Sequence, residues 1–178
     1  MNEETLVKEC VSGSEKAQKA LFDAFAPKML AVAMRYINDK ERAEDVLQDG
    51  FIKVFKNIQS FKLEGSLEGW VRRIVVNTAL DQIRKEKKHQ KDIELDDVSF
   101  ELKQINHTES QLQADYLMTL VRSLPDGYRT VFNLFAIEGY SHKEIADMLE
   151  ITESTSKSQY SRARSGLREM LEKLNIER

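Results

Sequence analysis

The segment from Glu138 to Leu174 constrains the fold most strongly, because it reads as two helices joined by a tight turn. Ser141 followed by Glu144 is a capping box, in which the hydroxyl accepts the Glu144 N–H and the carboxylate accepts the Ser141 N–H. Apolar residues then follow at helical spacing: Ile145, Ala146 and Leu149. The pattern predicts a short helix, a turn around Ile151 and a longer second helix.

The second helix begins after Thr152, a suitable N-cap, and is apolar along one side only. Its first half combines short hydrogen-bonding side chains with long cations: Lys157, Ser158, Gln159, Arg162 and Arg164. Such a set at the start of a second helix suits the major groove of duplex DNA. On pattern alone, an ordinary helical hairpin with a solvated basic face is an equally good interpretation.

Few residues in the chain would break helices, since it has two prolines and seven glycines in 178 residues. The 41% hydrophobic and 32% charged residues indicate one large or two small globular domains. The sequence shows no membrane-spanning run or signal peptide, so we expect a cytoplasmic protein. Cys10 is the single cysteine, which excludes a disulfide framework and a cysteine-based metal site.

The charge balance argues against tight DNA binding by the isolated chain. The 27 Lys and Arg residues are outnumbered by 30 Asp and Glu, giving a net charge of −3. Proteins that bind DNA unaided are usually basic. The balance fits a protein that a larger machine delivers to DNA.

Residues 41–58 predict an amphipathic helix with a broad apolar face: Ala43, Val46, Leu47, Phe51, Val54, Phe55 and Ile58. The opposite face is polar apart from one branched residue: Asp45, Gln48, Asp49, Ile52 and Lys56. An apolar residue among carboxylates favours a contact with another protein at Ile52. A solvated face with one exposed apolar residue is the alternative.

A loop with two glycines, residues 59–69, precedes a helix over residues 67–88. One stripe of this helix carries Trp70, Arg73, Asn77, Asp81, Arg84 and Lys88. An aromatic ring, an amide and cations in a row suit single-stranded DNA, whose bases stack on rings while cations follow the phosphates. From the stripe alone, a helix with a core tryptophan and solvated charges is the better interpretation.

A basic run at residues 85–91 gives way to an acidic run at 92–101, and we place the domain boundary within residues 94–108. Two more capping boxes are predicted, at Ser12 with Glu15 and at Thr108 with Gln111. Pro27 should kink a helix or start a new one. Residues 125–127 read as a turn.

Enzyme chemistry finds no support in the sequence. A helical di-metal site needs two Glu-x-x-His motifs and two further carboxylates, and the chain has one such spacing, Glu86 to His89. Neither a phosphate-binding glycine loop nor a nucleophile motif is present. We therefore expect no catalysis, no cofactor and no metal.

Several segments, in the same order along the chain, resemble bacterial sigma factors of the extracytoplasmic-function (ECF) group: residues 43–55, 61–79, 123–129 and 151–164. The resemblance implies that the first grips core RNA polymerase through Asp45, Gln48, Asp49, Ile52 and Lys53. It implies that the second melts the promoter and holds a flipped base of the minus-ten element through Phe61, Lys62, Glu64, Ser66 and Asn77. Arg73, Arg84 and Lys88 would bind phosphates, whereas Trp70 and Ile74 would be structural.

The last segment would read the minus-thirty-five element through Thr155, Lys157, Ser158, Gln159, Ser161 and Arg162. Three positions depart from the family pattern. Glu150 replaces a turn glycine, Ser156 a β-branched residue and Gln159 a frequent arginine. Because a left-handed non-glycine residue costs about 1–2 kcal/mol, we expect the turn to be wound differently here.

The sequence therefore predicts an all-α protein of two small helical domains joined by a flexible linker. Residues 1–93 would form a sigma region 2-like domain, 94–108 the linker, and 109–178 a region 4-like helix–turn–helix domain. Its partners would be core polymerase and promoter DNA, and an anti-sigma factor is left open. Two alternatives are a helix–turn–helix regulator with an N-terminal helical interaction domain, and a protein that sequesters another transcription factor.

Overall fold

The computed structural model describes the backbone of residues 2–89 and 112–173, and the side chains of 2–86 and 116–173. These residues form eight α-helices and no strand: α1 (Glu3–Val11), α2 (Glu15–Tyr36), α3 (Lys40–Asn57), α4 (Leu67–His89), α5 (Leu112–Ser123), α6 (Asp126–Phe132), α7 (His142–Leu149) and α8 (Glu153–Lys173). The predicted all-α class is confirmed. None of the described helices is both long and apolar enough to cross a membrane.

The chain divides into two compact units, Met1–Lys88 (unit 1) and His89–Arg178 (unit 2). The division into two helical domains agrees with the prediction. The predicted linker, residues 94–108, and the capping box at Thr108 and Gln111 lie outside the described residues. The boundaries at 93 and 109 therefore stay predictions.

Unit 1 is built around α3, whose predicted core face is buried. Of the seven apolar residues assigned to that face, six are buried and Phe55 is partly exposed. Phe51 meets Phe22 of α2 edge to face, with ring centroids 4.7 Å apart. Within α4 the apolar face turned inward is rich in valine, which is stiff at χ1 and packs well on a neighbouring helix: Val71, Val75, Val76, Ala79 and Leu80.

The structure differs from the predictions for the cap of α2 and for Pro27. The cap of α2 is Ser14, which accepts the Ala17 N–H (3.3 Å), not Ser12. Gly13 has φ +84° and makes the turn, which leaves Ser12 to end α1. Helix α2 continues through Pro27 instead of restarting there.

Helices α3 and α4 approach each other closely at a glycine. A Cβ on Gly50 would lie 3.1 Å from Val75 Cγ2, so no larger residue fits without a shift. Two ion pairs also join these helices: Lys53 Nζ lies 2.9 Å from Asp81 Oδ2, and Arg42 contacts Glu86.

Unit 2 packs α5, α6 and α8 around an apolar cluster of Leu120, Leu124, Ala163 and Met170. Pro125 is the N-cap of α6, so Asp126 and Gly127 already belong to this helix and the predicted turn is shorter. A π-helical segment, Asn133–Ile137, connects α6 towards α7. Helix α7 ends at Leu149 and is followed by its C-cap, Glu150, which has φ 55° and ψ 42°. The turn is thus left-handed despite the missing glycine, and the expectation of a different winding is wrong.

Candidate nucleic-acid interface

The polar face of α3 is exposed and forms the wall of a groove. Ile52 has half of its surface exposed (50%), and Asp45, Gln48 and Asp49 are exposed around it. The groove is open, with a volume of about 290 Å³, and is completed by Arg42, Val46 and Gln82. The structure thus brings four of the five predicted polymerase-binding residues together. Lys53 does not line the groove, and its ammonium group donates to Asp81 instead.

The loop before α4 is exposed but anchored at its base. Phe61 is buried, and its ring centroid lies 5.5 Å from that of Trp70. Lys62, Glu64 and Ser66 are exposed beyond this anchor. The Ser66 hydroxyl accepts the Gly69 N–H (3.3 Å), which fixes the start of α4. Of the predicted base-contacting residues here, three present their side chains to solvent and Phe61 mainly supports them.

The loop also carries an exposed residue, Leu63, that no pattern in the sequence singles out. Leu63 is 46% exposed and has φ 58°, a left-handed conformation that is strained for leucine. Gly65, two residues on, has φ +90° at no such cost. A leucine between two charged residues gives no sequence signal for this conformation.

Only part of the predicted stripe along α4 is exposed. Arg73 and Asn77 are exposed, whereas Trp70 is partly buried. Asp81 Oδ1 accepts from Arg84 Nη2 (2.7 Å), and Asp81 Oδ2 accepts from the ammonium group of Lys53. One carboxylate therefore binds and orients both cations. The side chain of Lys88 lies outside the described residues.

The helix–turn–helix of unit 2 has the predicted caps. Ser141 Oγ accepts the Glu144 N–H (3.3 Å), and Glu144 Oε2 accepts the Ser141 N–H (2.8 Å). Thr152 Oγ1 accepts the Thr155 N–H (3.0 Å) at the start of α8. Both helices of the motif are thus capped at their N-termini by side chains.

The first half of α8 presents two serines between two cations. Lys157, Ser158, Ser161 and Arg162 are all exposed, and at 100° per residue the cations flank the serines. Lys157 Nζ lies 2.7 Å from Glu153, and this hydrogen bond lowers the pKa of the Glu153 carboxyl.

The remaining predicted residues of this site are partly buried: Thr155 and Gln159. A Cβ added to Gly127 of α6 would lie 3.5 Å from Gln159 Nε2. On the same side, Arg162 Nη1 donates to the Tyr128 hydroxyl (3.1 Å). Helix α6 therefore supports one edge of the exposed face of α8.

Two buried polar contacts in unit 2 were missed. Ser156 is fully buried, and its Oγ lies 2.9 Å from His142 Nδ1. Arg129 is also buried, and its Nη1 donates to the carbonyl of Leu124 (2.9 Å) while Nη2 donates to Asp126 (2.7 Å). The only signal for the first contact was a serine at an apolar position of the α8 repeat. Among the described residues, no group of His, Cys, Asp and Glu could hold a metal ion.

Family models match both units. The model for sigma-70 region 2 matches residues 21–89, and the model for sigma-70 region 4 matches residues 114–167. The first match covers the α3 groove, the loop and α4, and does not favour a regulator with an unrelated N-terminal domain.

Similar proteins agree over nearly the whole chain. SigW, an ECF RNA polymerase sigma factor of Bacillus subtilis, is 30% identical, and the alignment covers 94% of this chain and 96% of SigW. The RNA polymerase sigma-H factor of Pseudomonas aeruginosa is 27% identical over 97% of this chain and 95% of its own length. The sigma factor RpoE of Bartonella quintana, solved with the anti-sigma factor NepR, is 25% identical with a TM-score of 0.52, covering 86% of this chain and 96% of RpoE.

The chain thus matches sigma-70 region 2 over unit 1 and sigma-70 region 4 over unit 2, and its relatives align along nearly its whole length. The chain belongs to the ECF RNA polymerase sigma factors, which join core polymerase to initiate transcription at promoters.

Proposed function

We propose that three surfaces of this chain have separate roles in promoter recognition. The α3 groove binds core polymerase, the loop at residues 61–66 and the outer face of α4 hold a melted strand, and α8 reads duplex DNA upstream. The chain supplies no catalytic group of its own and works in the cytoplasm, where its polymerase is. The observation that carries the proposal is the exposure of Ile52 among acidic side chains, outside the core of unit 1.

The α3 groove suits a basic partner with an apolar side chain. Asp45 and Asp49 contribute two carboxylates to its lining, and Ile52 contributes an apolar side chain that is half exposed. An interface with an apolar centre and charged rim gains affinity from the centre and orientation from the rim. Lys53 would act on the α4 side, because its charge is already directed at Asp81.

The loop and α4 suit an unpaired strand. Lys62, Arg73 and Arg84 offer cations for phosphates, while Glu64, Ser66 and Asn77 offer groups that can bond to base edges. Phe61 would hold the base of the loop through its contact with Trp70. Lys88 would extend the phosphate track along α4.

The face of α8 suits a major groove. Lys157 and Arg162 would bind phosphates or guanine edges at its margins, and Ser158 and Ser161 between them allow a close approach to bases. Thr155 and Gln159 would act at the α6 side. Because RpoE of Bartonella quintana was solved with NepR, we include an anti-sigma factor among the proposed partners.

The test is transcription in vitro from a library of randomised promoters, using bacterial core polymerase with and without this chain. We expect a defined subset of promoters to be transcribed only when the chain is present. Unselective transcription, or none, would contradict the proposal. The docking surface is tested separately by Asp49→Lys and Ile52→Asp, which should abolish co-purification with core polymerase and leave the melting temperature nearly unchanged.

Val11 provides a matched control, since it is exposed to the same extent as Ile52 (50%) and lies on α1. Val11→Asp should leave polymerase binding intact. If both α3 variants still bind core polymerase, the interface lies elsewhere on the chain.

A further inference from the structure

The joint between α7 and α8 contains a directed polar contact inside the helix–turn–helix. His142 is the first residue of α7, and Ser156 lies one turn into α8. The Nδ1 atom of His142 is 2.9 Å from Ser156 Oγ, and no part of Ser156 is exposed. Because a hydroxyl both donates and accepts, the bond forms whichever ring nitrogen carries the proton.

The imidazole ring is held from a second direction. It stacks on Phe135 with a centroid distance of 4.3 Å and an interplanar angle of 13°. Tyr160 of α8 lies next to both rings, 4.5 Å from Phe135 and 5.8 Å from His142. The stacking restrains the plane of the imidazole, and the Nδ1 atom that contacts Ser156 lies in that plane.

A directed bond at this place constrains α8 in a way that apolar packing does not. Burial of apolar surface is non-directional, whereas a hydrogen bond weakens steeply when it is misaligned. Ser156 lies between Thr155 and Lys157, both assigned to the upstream DNA contact. A small rotation or shift of α8 would break the His142 bond and displace those side chains together.

We propose that His142 is a positioning residue that sets the orientation of α8 through Ser156 and thereby determines selectivity for the upstream DNA element. The inference rests on the proposed function of α8. It assigns no DNA contact to His142 itself. The selectivity of the polymerase for this element, rather than the folding of unit 2, is the property that depends on the bond.

The test compares two substitutions that separate the two roles of the ring. His142→Phe keeps a stacking ring on Phe135 but removes the hydrogen bond. His142→Asn keeps a polar atom near the position of Nδ1 but removes the stacking. The probe is the upstream sequence that wild-type chain and core polymerase select from a randomised duplex segment, and the readout is the ratio of transcription with and without this sequence.

We expect His142→Phe and Ser156→Ala each to lower this ratio by about three- to tenfold, since a neutral hydrogen bond contributes about 0.5–1.5 kcal/mol. The double variant should be no worse than either single one, because both remove the same bond. His142→Asn should keep the ratio within about twofold of wild type.

Ser123→Ala is the matched serine control. Its hydroxyl donates to the Leu120 carbonyl (2.7 Å) and contacts Met170 Sδ (3.3 Å) in the second half of α8, away from the proposed DNA-contacting residues, so its loss should leave the ratio unchanged. Melting temperatures of all variants show that they are folded. A ratio kept by His142→Phe but lost by His142→Asn would overturn the inference in favour of packing alone.

The proposed function fails in a different way. If the wild-type chain selects no upstream sequence at all, α8 does not read DNA and both proposals fall. If it selects one and the Phe and Ala variants select it equally well, only the positioning role is refuted.

Discussion

The two units differ in what they bury. Unit 1 buries a nearly apolar interior, in which Thr78 bonds to the Ile74 carbonyl of its own helix. Within its described part, unit 2 buries four polar residues: Arg129, Thr130, Asn133 and Ser156. Arg129 and Ser156 bond to residues outside their own helices. Unit 1 therefore gains its shape from apolar burial, whereas unit 2 also depends on directed hydrogen bonds.

The consequence concerns how each unit tolerates change. An apolar core loses stability with lost volume but accepts many rearrangements of similar volume. A buried polar group is costly as soon as its partner is removed, because its desolvation is no longer offset. Unit 1 should therefore respond to size, and unit 2 to the identity of particular atoms.

The largest effect is expected for Leu21→Ala in unit 1. Leu21 is fully buried, and such truncations cost about 2–5 kcal/mol of unfolding free energy. Trp70, the single tryptophan of the chain, lies in unit 1 and gives a fluorescence signal for urea unfolding. Leu21→Met should lower the unfolding free energy much less than Leu21→Ala, because it nearly conserves the side-chain volume. A loss below 1 kcal/mol for Leu21→Ala would mean that unit 1 does not depend on its packed volume.

Arg129→Met should destabilise unit 2 even though it largely conserves side-chain volume, because it removes a buried hydrogen-bond donor. The methionine keeps much of the buried volume but leaves the Leu124 carbonyl without its donor, at a cost of about 1–3 kcal/mol. Amide hydrogen exchange of α5 and α6 measures the effect. Arg168 is exposed on α8, and Arg168→Met should stay within about 0.5 kcal/mol of wild type. Equal effects of the two substitutions would remove the distinction between the units.

Glu150→Gly and Leu63→Gly test a feature that both units share. Each replaced residue has a left-handed backbone, with φ 55° and 58° respectively. Relief of that conformation should stabilise each unit by about 1 kcal/mol, less the entropy that glycine loses on folding. Thermal unfolding measures both. A lower melting temperature for Glu150→Gly would show that the glutamate side chain contributes more than its backbone strain costs.

The smallest effect is expected for the pH dependence at Cys10. Burial raises the pKa of this thiol, with a further contribution from Glu9. The unfolded chain therefore loses the thiol proton first as pH rises above about 8.5. The stability from keeping the thiol neutral is complete below that pH and is lost as pH rises further. Between pH 8 and 10, wild type should lose more stability than Cys10→Ala, and parallel curves would show that the thiol makes no contribution.

The same contrast explains what could be predicted from the sequence. The buried face of α3 was predicted because apolar residues repeat at helical spacing, and the cap at Ser141 because both partners lie three residues apart. The bond between His142 and Ser156 joins residues fourteen apart across a turn, and no local pattern encodes it. The left-handed turn at Glu150 was predicted wrongly because local backbone preference was weighed without the packing of α7 on α8.

The candidate site shows the same limit. The exposed polar face of α3 follows from helical spacing, so four groove residues could be found in advance. The orientation of Lys53 towards Asp81 depends on the approach of α4, and the burial of Phe61 depends on Trp70. The sequence did not predict the contacts of side chains that pack against another helix.

The close approach of α3 and α4 at Gly50 has an entropic consequence. The groove lies on α3, and the cations and Asn77 lie on α4, so their separation is fixed within unit 1 by the Gly50–Val75 contact and the Lys53–Asp81 pair. Neither helix has to be ordered when its partner arrives, and that part of the association cost is already met in the free chain. Under the proposed function, unit 1 would thus hold a fixed distance between the surface that binds polymerase and the surface that holds the melted strand.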